Sequence, residues 1–158
     1  MKKYLAAIFT ITFVSLAGIS CIQAQDNKAQ DFTLQDLNQN TVSLSEYKGN
    51  KPVVLFFWTT WCPYCQRELV ILKDKYAGFA GRGLEFLAIN IGEDKRRVEN
   101  LVRKKGLTFK VLLDKDGTVS DSFGIFGVPT YIFIDKKGNI VEKENYFSEK
   151  AFENLISE

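Results

Sequence analysis

The chain has no histidine and only three cysteines, Cys21, Cys62 and Cys65. A tetrahedral zinc site wants four ligands, drawn mostly from cysteine and histidine. With no histidine and no second close cysteine pair, nothing completes a metal half-site at Cys62 and Cys65, and no metal is expected. A disulfide-stapled scaffold is excluded as well. Cys21 stands alone near the start, and a bridge across four residues restricts the unfolded chain little. Charge of either sign is not in large excess. The formal net charge is +2, and without residues 1–24, which carry Lys2 and Lys3, it falls to about zero. The totals therefore give no reason to expect a nucleic acid or acidic partner. Two basic clusters, Lys95-Arg96-Arg97 and Arg103-Lys104-Lys105, flank Val98, Leu101 and Val102 and read as the solvated face of a helix. There is no internal repeat and no low-complexity tract. A length of 158 residues suits one domain with a short appendage, and thirteen phenylalanines can fill its core.

The appendage is residues 1–24. Met1-Lys2-Lys3 is a short positive start, Leu5 to Ile22 is apolar and uncharged, and polarity returns at Gln23-Ala24-Gln25-Asp26. This is the layout of an export signal. Three fates stay open: cleavage after Ala24, retention as a membrane anchor through residues 4–22, and lipidation at Cys21. The apolar segment is marginally long enough to span a bilayer. Gly18 stands where a lipoprotein box wants a large aliphatic residue. All three place the domain outside the cytosol, in a bacterial periplasm or cell envelope. Residues 25–30 read as a polar linker, and 31–158 as the folded domain.

Within that domain, Trp61-Cys62-Pro63-Tyr64-Cys65 closes an apolar run, Val53 to Trp58, and opens a helical one, Arg67 to Phe79. Cysteines at i and i+3 on a first helical turn lie close enough to bond. The free amides of that turn stabilise a thiolate on the first sulfur. Asp31–Leu37 and Thr41–Leu44 read as short strands, Ser45–Gly49 as one helical turn, and Val53–Trp58 as a strand covered on both faces. Leu84–Ile91 follows as a second central strand, Asp94–Lys105 as a helix, and Phe109–Leu113 as an edge strand. Thr130–Ile134 and Asn139–Lys143 flank a hairpin turn at Asp135–Gly138. Ser148–Ser157 closes the chain as a helix capped by Ser148. This order is an α/β sandwich with mixed strand directions.

The stretch from Phe57 to Cys65, with Gly127-Val128-Pro129-Thr130 downstream, resembles the thioredoxin fold. The opening Asp31-Phe32-Thr33-Leu34 and Val42-Ser43-Leu44 are similar to its exported TlpA/ResA-type branch. The resemblance runs from Asp31 to the carboxyl terminus. It implies a thioredoxin-like three-layer sandwich with a mixed sheet, an amino-terminal β-hairpin and an insertion before the cis-proline strand.

Cys62 at the helix start is the candidate nucleophile, expected with its sulfur at the surface. Cys65, one turn on, is the candidate resolving thiol and is expected to be more buried. Pro63 and Tyr64 tune the pair, and Trp61 forms its rim. The resemblance implies a cis Val128–Pro129 bond facing the cysteines, with Val128 offering its backbone to an extended substrate; the residues alone would suit an ordinary trans proline opening an edge strand. Phe56 occupies the place where thioredoxins proper carry a buried acid. Glu68, three residues after Cys65, is then the candidate proton relay, at the spacing of the ResA-like acid. A solvated glutamate paired with a basic residue is the competing reading. Glu93 reads equally as a lining of a substrate cavity or as an acid in the first turn of the next helix. No cofactor is expected beyond the redox-active Cys62–Cys65 pair.

These features point to a thiol-disulfide oxidoreductase acting on cysteine-containing envelope proteins. The resemblance implies reduction in cytochrome c maturation, with apocytochrome c as a client, a membrane thiol-reducing electron donor, and a monomeric enzyme. A thiol peroxidase is the second reading, although Leu55 stands where the peroxidatic frame has proline. A non-catalytic thioredoxin-like binding module is the third.

Overall fold

The computed structural model describes residues 27–157. The segment read as an export signal, with Cys21, and the start of the segment read as a linker lie outside the described residues. Val53–Trp58 forms β3, with every side chain buried. A strand apolar on both faces needs cover on both, and that requirement puts β3 inside the sheet. It pairs in parallel with β4 (Glu85–Ile91) and antiparallel with β6 (Thr130–Ile134). The remaining strands are β1 (Thr33–Asp36), β2 (Thr41–Ser43), β5 (Lys110–Asp114) and β7 (Ile140–Glu144). The seven strands run in the order β2-β1-β5-β4-β3-β6-β7.

Alternation along the strands sends residues to two separate apolar layers. Val54, Phe56 and Trp58 face one layer with Leu69 and Leu72 of α1 (Pro63–Gly81), Val98 of α2 (Lys95–Lys105), and Phe152 and Leu155 of α4 (Glu149–Ser157). Val53, Leu55 and Phe57 face the other, with Leu44 and Tyr47 of a 3-10 turn (Leu44–Tyr47) and Val119 of α3 (Thr118–Ser122). The thioredoxin-like three-layer α/β architecture is thereby formed, with the amino-terminal hairpin on one side and the segment α2–β5–α3 before the proline strand. Among the described residues, no helix is long and apolar enough to cross a membrane.

The strand expected at 109–113 is not an edge. β5 lies between β4 and β1, pairing in parallel with the first and antiparallel with the second. The hairpin β1–β2 docks its own hydrogen-bonding edge there, and Val111, Leu112 and Leu113 are buried as a result. The exposed edges are β2, three residues long, and the charge-bearing β7, both poor templates for further pairing. Asn27–Ala29, at the end of the segment read as a linker, are tied to the β6–β7 turn. Ala29 N–H donates to the Gly138 carbonyl at 2.9 Å, and Ile140 N–H to that of Asn27 at 2.7 Å.

Ser148 caps α4 as its sequence position suggests: its Oγ accepts from Ala151 N–H at 3.1 Å. The helix then sets Phe152 against Phe79 and Phe147, an aromatic group that supports α1 from behind.

Candidate active site

The carboxyl end of β3 and the amino end of α1 meet at Thr59–Cys62. Pro63 takes the first helical position, where its missing N–H costs nothing. Cys62 is the N-cap, and its Sγ accepts the Cys65 backbone N–H at 3.0 Å. A sulfur thus fills the capping place usually held by a serine or aspartate oxygen. Once the bridge is opened, the same donor and the helix amino terminus favour a thiolate there. Here Cys62 and Cys65 are joined in a disulfide, with Cα atoms 5.2 Å apart.

Cys65 is fully buried. Cys62 is only 3% exposed, so its sulfur is not the surface atom expected from the sequence. The reason is the loop before β6. Its Val128–Pro129 bond is cis, and the Val128 carbonyl oxygen lies 3.7 Å from Cys62 Sγ. Val128 and Pro129 are half-buried; Trp61 and Tyr64 are about two-thirds exposed, at 64% and 66%. Arg67 lays its guanidinium 4.5 Å over the Tyr64 ring. Phe126, three residues before Pro129, is wholly exposed. Trp61, Tyr64 and Phe126 thus leave large apolar side chains in water on the segments that carry Cys62 and Val128.

Glu68 is half-buried and its carboxylate faces β6: the Tyr131 hydroxyl donates to Glu68 Oε2 at 2.6 Å. Burial, and then this hydrogen bond, hold the Tyr131 hydroxyl well above its usual range, so it remains a donor. Tyr131 is the cross-strand neighbour of Phe56, and their rings pack with centroids 4.6 Å apart. A buried phenol and a half-buried acid therefore stand near the position that Phe56 leaves apolar. The reading of Glu68 as a glutamate paired with a base does not fit this geometry.

Glu93 is not an acid in the first turn of the next helix. It precedes α2, which begins at Lys95, and its side chain is 7% exposed. Its carboxylate turns inward onto Thr60. Oε2 accepts Thr60 N–H at 2.6 Å and Asn90 Nδ2 at 2.9 Å; Oε1 accepts the Thr60 hydroxyl at 2.5 Å. Arg97 adds an ion pair at 3.3 Å and donates from Nε to Thr60 Oγ1 at 3.0 Å. Gln66 Nε2 donates to the Thr60 carbonyl at 2.7 Å. Every polar group of Thr60 is thereby bonded, and the loop that presents Trp61 and Cys62 is braced from β4, α1 and α2. Glu93 braces this loop.

The AhpC/TSA family model matches residues 26–143. The thiol-disulfide oxidoreductase ResA of Bacillus subtilis is 36% identical over 134 residues, covering 85% of this chain and 74% of its own. A thiol:disulfide interchange protein DsbE of Chlorobium tepidum superposes with a TM-score of 0.71 at 26% identity, covering 84% of this chain and 92% of its own. A secreted disulfide oxidoreductase of Mycobacterium tuberculosis gives 0.67 at 26% identity, over 80% and 94%. The chain belongs to the AhpC/TSA family. Within it, this is a ResA-type thiol-disulfide oxidoreductase whose active-site disulfide is Cys62–Cys65.

Several residues that shape the site of this ResA-type oxidoreductase escape a reading by motif. Thr60, Gln66, Asn90 and Arg97 act on the loop through tertiary contacts. Only Asn90, a polar residue inside the apolar run Phe86–Ile91, signals itself in the sequence. Tyr131 hides in the apolar strand Thr130–Ile134, where an aromatic reads as core. Phe126 hides in a glycine-flanked loop, where its exposure has no local signature.

Proposed function

We propose that the chain reduces disulfides of exported proteins through Cys62, with Cys65 resolving and Glu68 receiving the Cys65 proton. The observation that carries this reading is the Cys65 N–H held on Cys62 Sγ at 3.0 Å. It singles out one sulfur of the pair for stabilisation as an anion. In the reduced enzyme the Cys62 thiolate attacks one sulfur of a client disulfide. A mixed disulfide forms and the other client sulfur leaves as a thiolate. Cys65, deprotonated, then attacks Cys62 Sγ. The Cys62–Cys65 bond forms, the bond to the client breaks, and the second client sulfur departs with its electron pair. The enzyme is oxidised by two electrons and the client reduced by two.

The client approaches as an extended segment along the backbone of Val128 and Pro129, with Trp61, Pro63, Tyr64 and Phe126 around it. Clients are cysteine-containing envelope proteins, including apocytochrome c, as the ResA-type resemblance suggests. The oxidised enzyme is returned to the dithiol by a membrane thiol donor. Residues 1–24 export the domain, and the chain acts as a monomer in the periplasm or envelope. The secreted relative supports that compartment. Peroxide reduction is disfavoured because Leu55, fully buried in β3, holds the place of the peroxidatic proline.

The test is capture of clients in the envelope. Cys65→Ala accumulates mixed disulfides through Cys62, and Cys62→Ala abolishes exchange. Equal loss of activity without trapping refutes the assigned order of attack. A steady-state peroxide turnover matching disulfide turnover refutes the reaction class.

A further inference from the structure

Tyr131 is fully buried, yet it carries a hydroxyl that a core aromatic of this strand does not need. Its ring is fixed by Phe56 at 4.6 Å, Phe147 at 5.8 Å and Phe133 at 6.5 Å between centroids. The hydroxyl is spent on one contact, the 2.6 Å bond to Glu68 Oε2. Two features thus lie two residues apart: Pro129, in the loop just before β6, beside the cysteines, and Tyr131, on β6, beside their candidate proton acceptor. A glutamate on a helix surface has several rotamers open to it, whereas one held by an immobile donor has few. That bond occupies Oε2 and leaves Oε1 as the oxygen able to take a proton from the neighbouring turn, where Cys65 lies.

We propose that Tyr131 is the positioning residue of the resolution step, clamping the Glu68 carboxylate from β6 so that it can receive the Cys65 proton. The inference rests on the oxidoreductase reading above. In this step the Cys65 thiol gives its proton to Glu68 and attacks Cys62 Sγ. The client sulfur leaves with the bonding electrons and is protonated from solvent, to which Glu68 returns its own proton. Tyr131 donates throughout and changes neither charge nor protonation.

The groups around this pair are few. Cys65 precedes Glu68 on α1. Glu144 of β7 is the cross-strand neighbour of Tyr131, and Glu142, opposite Phe133, is a further carboxylate on that face. Lys143, next to it, bonds the carbonyls of Phe123 and Gly124. Arg67 lies on Tyr64, and the described ion pairs between α1 or its C-cap and α4 run Lys75–Glu149 and Arg82–Glu153. The hydrogen bond described for the Glu68 side chain is the one from Tyr131.

The experiment uses the full chain with a fluorescent cysteine peptide disulfide-linked to Cys62, and follows peptide release by stopped flow from acid to alkaline pH. Tyr131→Phe keeps the ring and removes the clamp. Release slows about tenfold near neutrality, the scale of one hydrogen bond to a charged group. Its pH profile takes the form of the Glu68→Gln profile, and the double variant is no slower than Glu68→Gln alone. Attack of Cys62 on the free peptide disulfide keeps its rate. A wild-type rate and profile for Tyr131→Phe, or effects that add independently in the double variant, overturn the proposal. Should Tyr131→Phe lose its cooperative thermal transition, Glu68→Asp serves instead, since it keeps the acid but withdraws it from the hydroxyl. Unaltered release in Glu68→Asp also overturns the proposal. A wild type that exchanges no disulfide defeats the functional reading itself; a competent wild type with unaffected variants defeats only the role of Tyr131.

Discussion

Replacing Glu93 by glutamine keeps the shape of its side chain and removes its charge. In the native protein, Oε2 takes donors from Thr60 N–H and Asn90 Nδ2, while Oε1 takes the Thr60 hydroxyl and faces Arg97 Nε. All four are donors, so a carboxylate satisfies them and an amide does not. The best glutamine pose keeps its oxygen at the Oε2 position. Its NH₂ then meets the Thr60 hydroxyl, which can turn to accept, and Arg97, which cannot. Arg97 is 63% exposed, so its pairing adds little after solvent screening. The loss lies in two buried bonds that fall from charge-assisted to neutral strength, about 1 kcal/mol each and about 2 kcal/mol together. Alanine leaves the Thr60 N–H without an acceptor and the Asn90 amide with only the Trp58 carbonyl at 3.5 Å, and costs about 4 kcal/mol. For a domain of this size, the glutamine variant then melts roughly 8 °C lower, from about 4 °C per kcal/mol. Urea unfolding measures the difference directly, with an unchanged m-value showing that only stability moved. Attack by Cys62 slows in parallel, because Thr60 sets the path of the loop into Trp61. A glutamine variant within about 0.5 kcal/mol of wild type, the scale of ordinary surface substitutions, refutes the bracing role of Glu93.

Other outcomes are equally specific. Asp135 is desolvated by burial, which works to raise its carboxyl. The Asn139 N–H and side-chain amide, each at 2.7 Å, and the Lys137 N–H outweigh that and hold it below its ordinary value of 3.8. A depressed carboxyl stabilises the fold fully above its unfolded value and loses that contribution as pH falls through the folded one. Asp135→Asn therefore costs about 1–2 kcal/mol near neutrality and much less in strong acid, by thermal unfolding at both ends. A pH-independent difference contradicts the assignment. Phe126→Ser weakens client capture about tenfold, as expected of an exposed aromatic contact, while leaving stability and small-molecule disulfide reduction unchanged. Equal loss with clients and with small disulfides denies Phe126 a role in recognition.

Much of the fold is legible along the chain because its signals are local. The continuous apolar run Val53–Trp58 demands an interior strand, Pro63 fits a first helical turn, and Ser148 fits a cap; each occupies that place. The position of β5 is not local. Its neighbours are decided by where the β1–β2 hairpin finds a partner, and a strand of five residues carries no mark of that choice. Glu93 shows the same divide. Its place after β4 is visible in sequence, but an acid in a turn can serve a helix dipole, a cavity or a neighbouring loop with the same neighbours in the chain.

By itself, then, the sequence determined the reacting pair and its chemistry. Two cysteines one helical turn apart, with proline between them and an apolar strand before them, meet through backbone geometry that needs no distant residue. Tertiary structure alone decided what surrounds them: Val128 against Cys62, Tyr131 on Glu68, and Glu93 beneath Thr60. Those contacts span 66, 63 and 33 residues of chain. They exist because sheet pairing and two packed apolar layers bring β4, β6 and α1 to one end of the molecule.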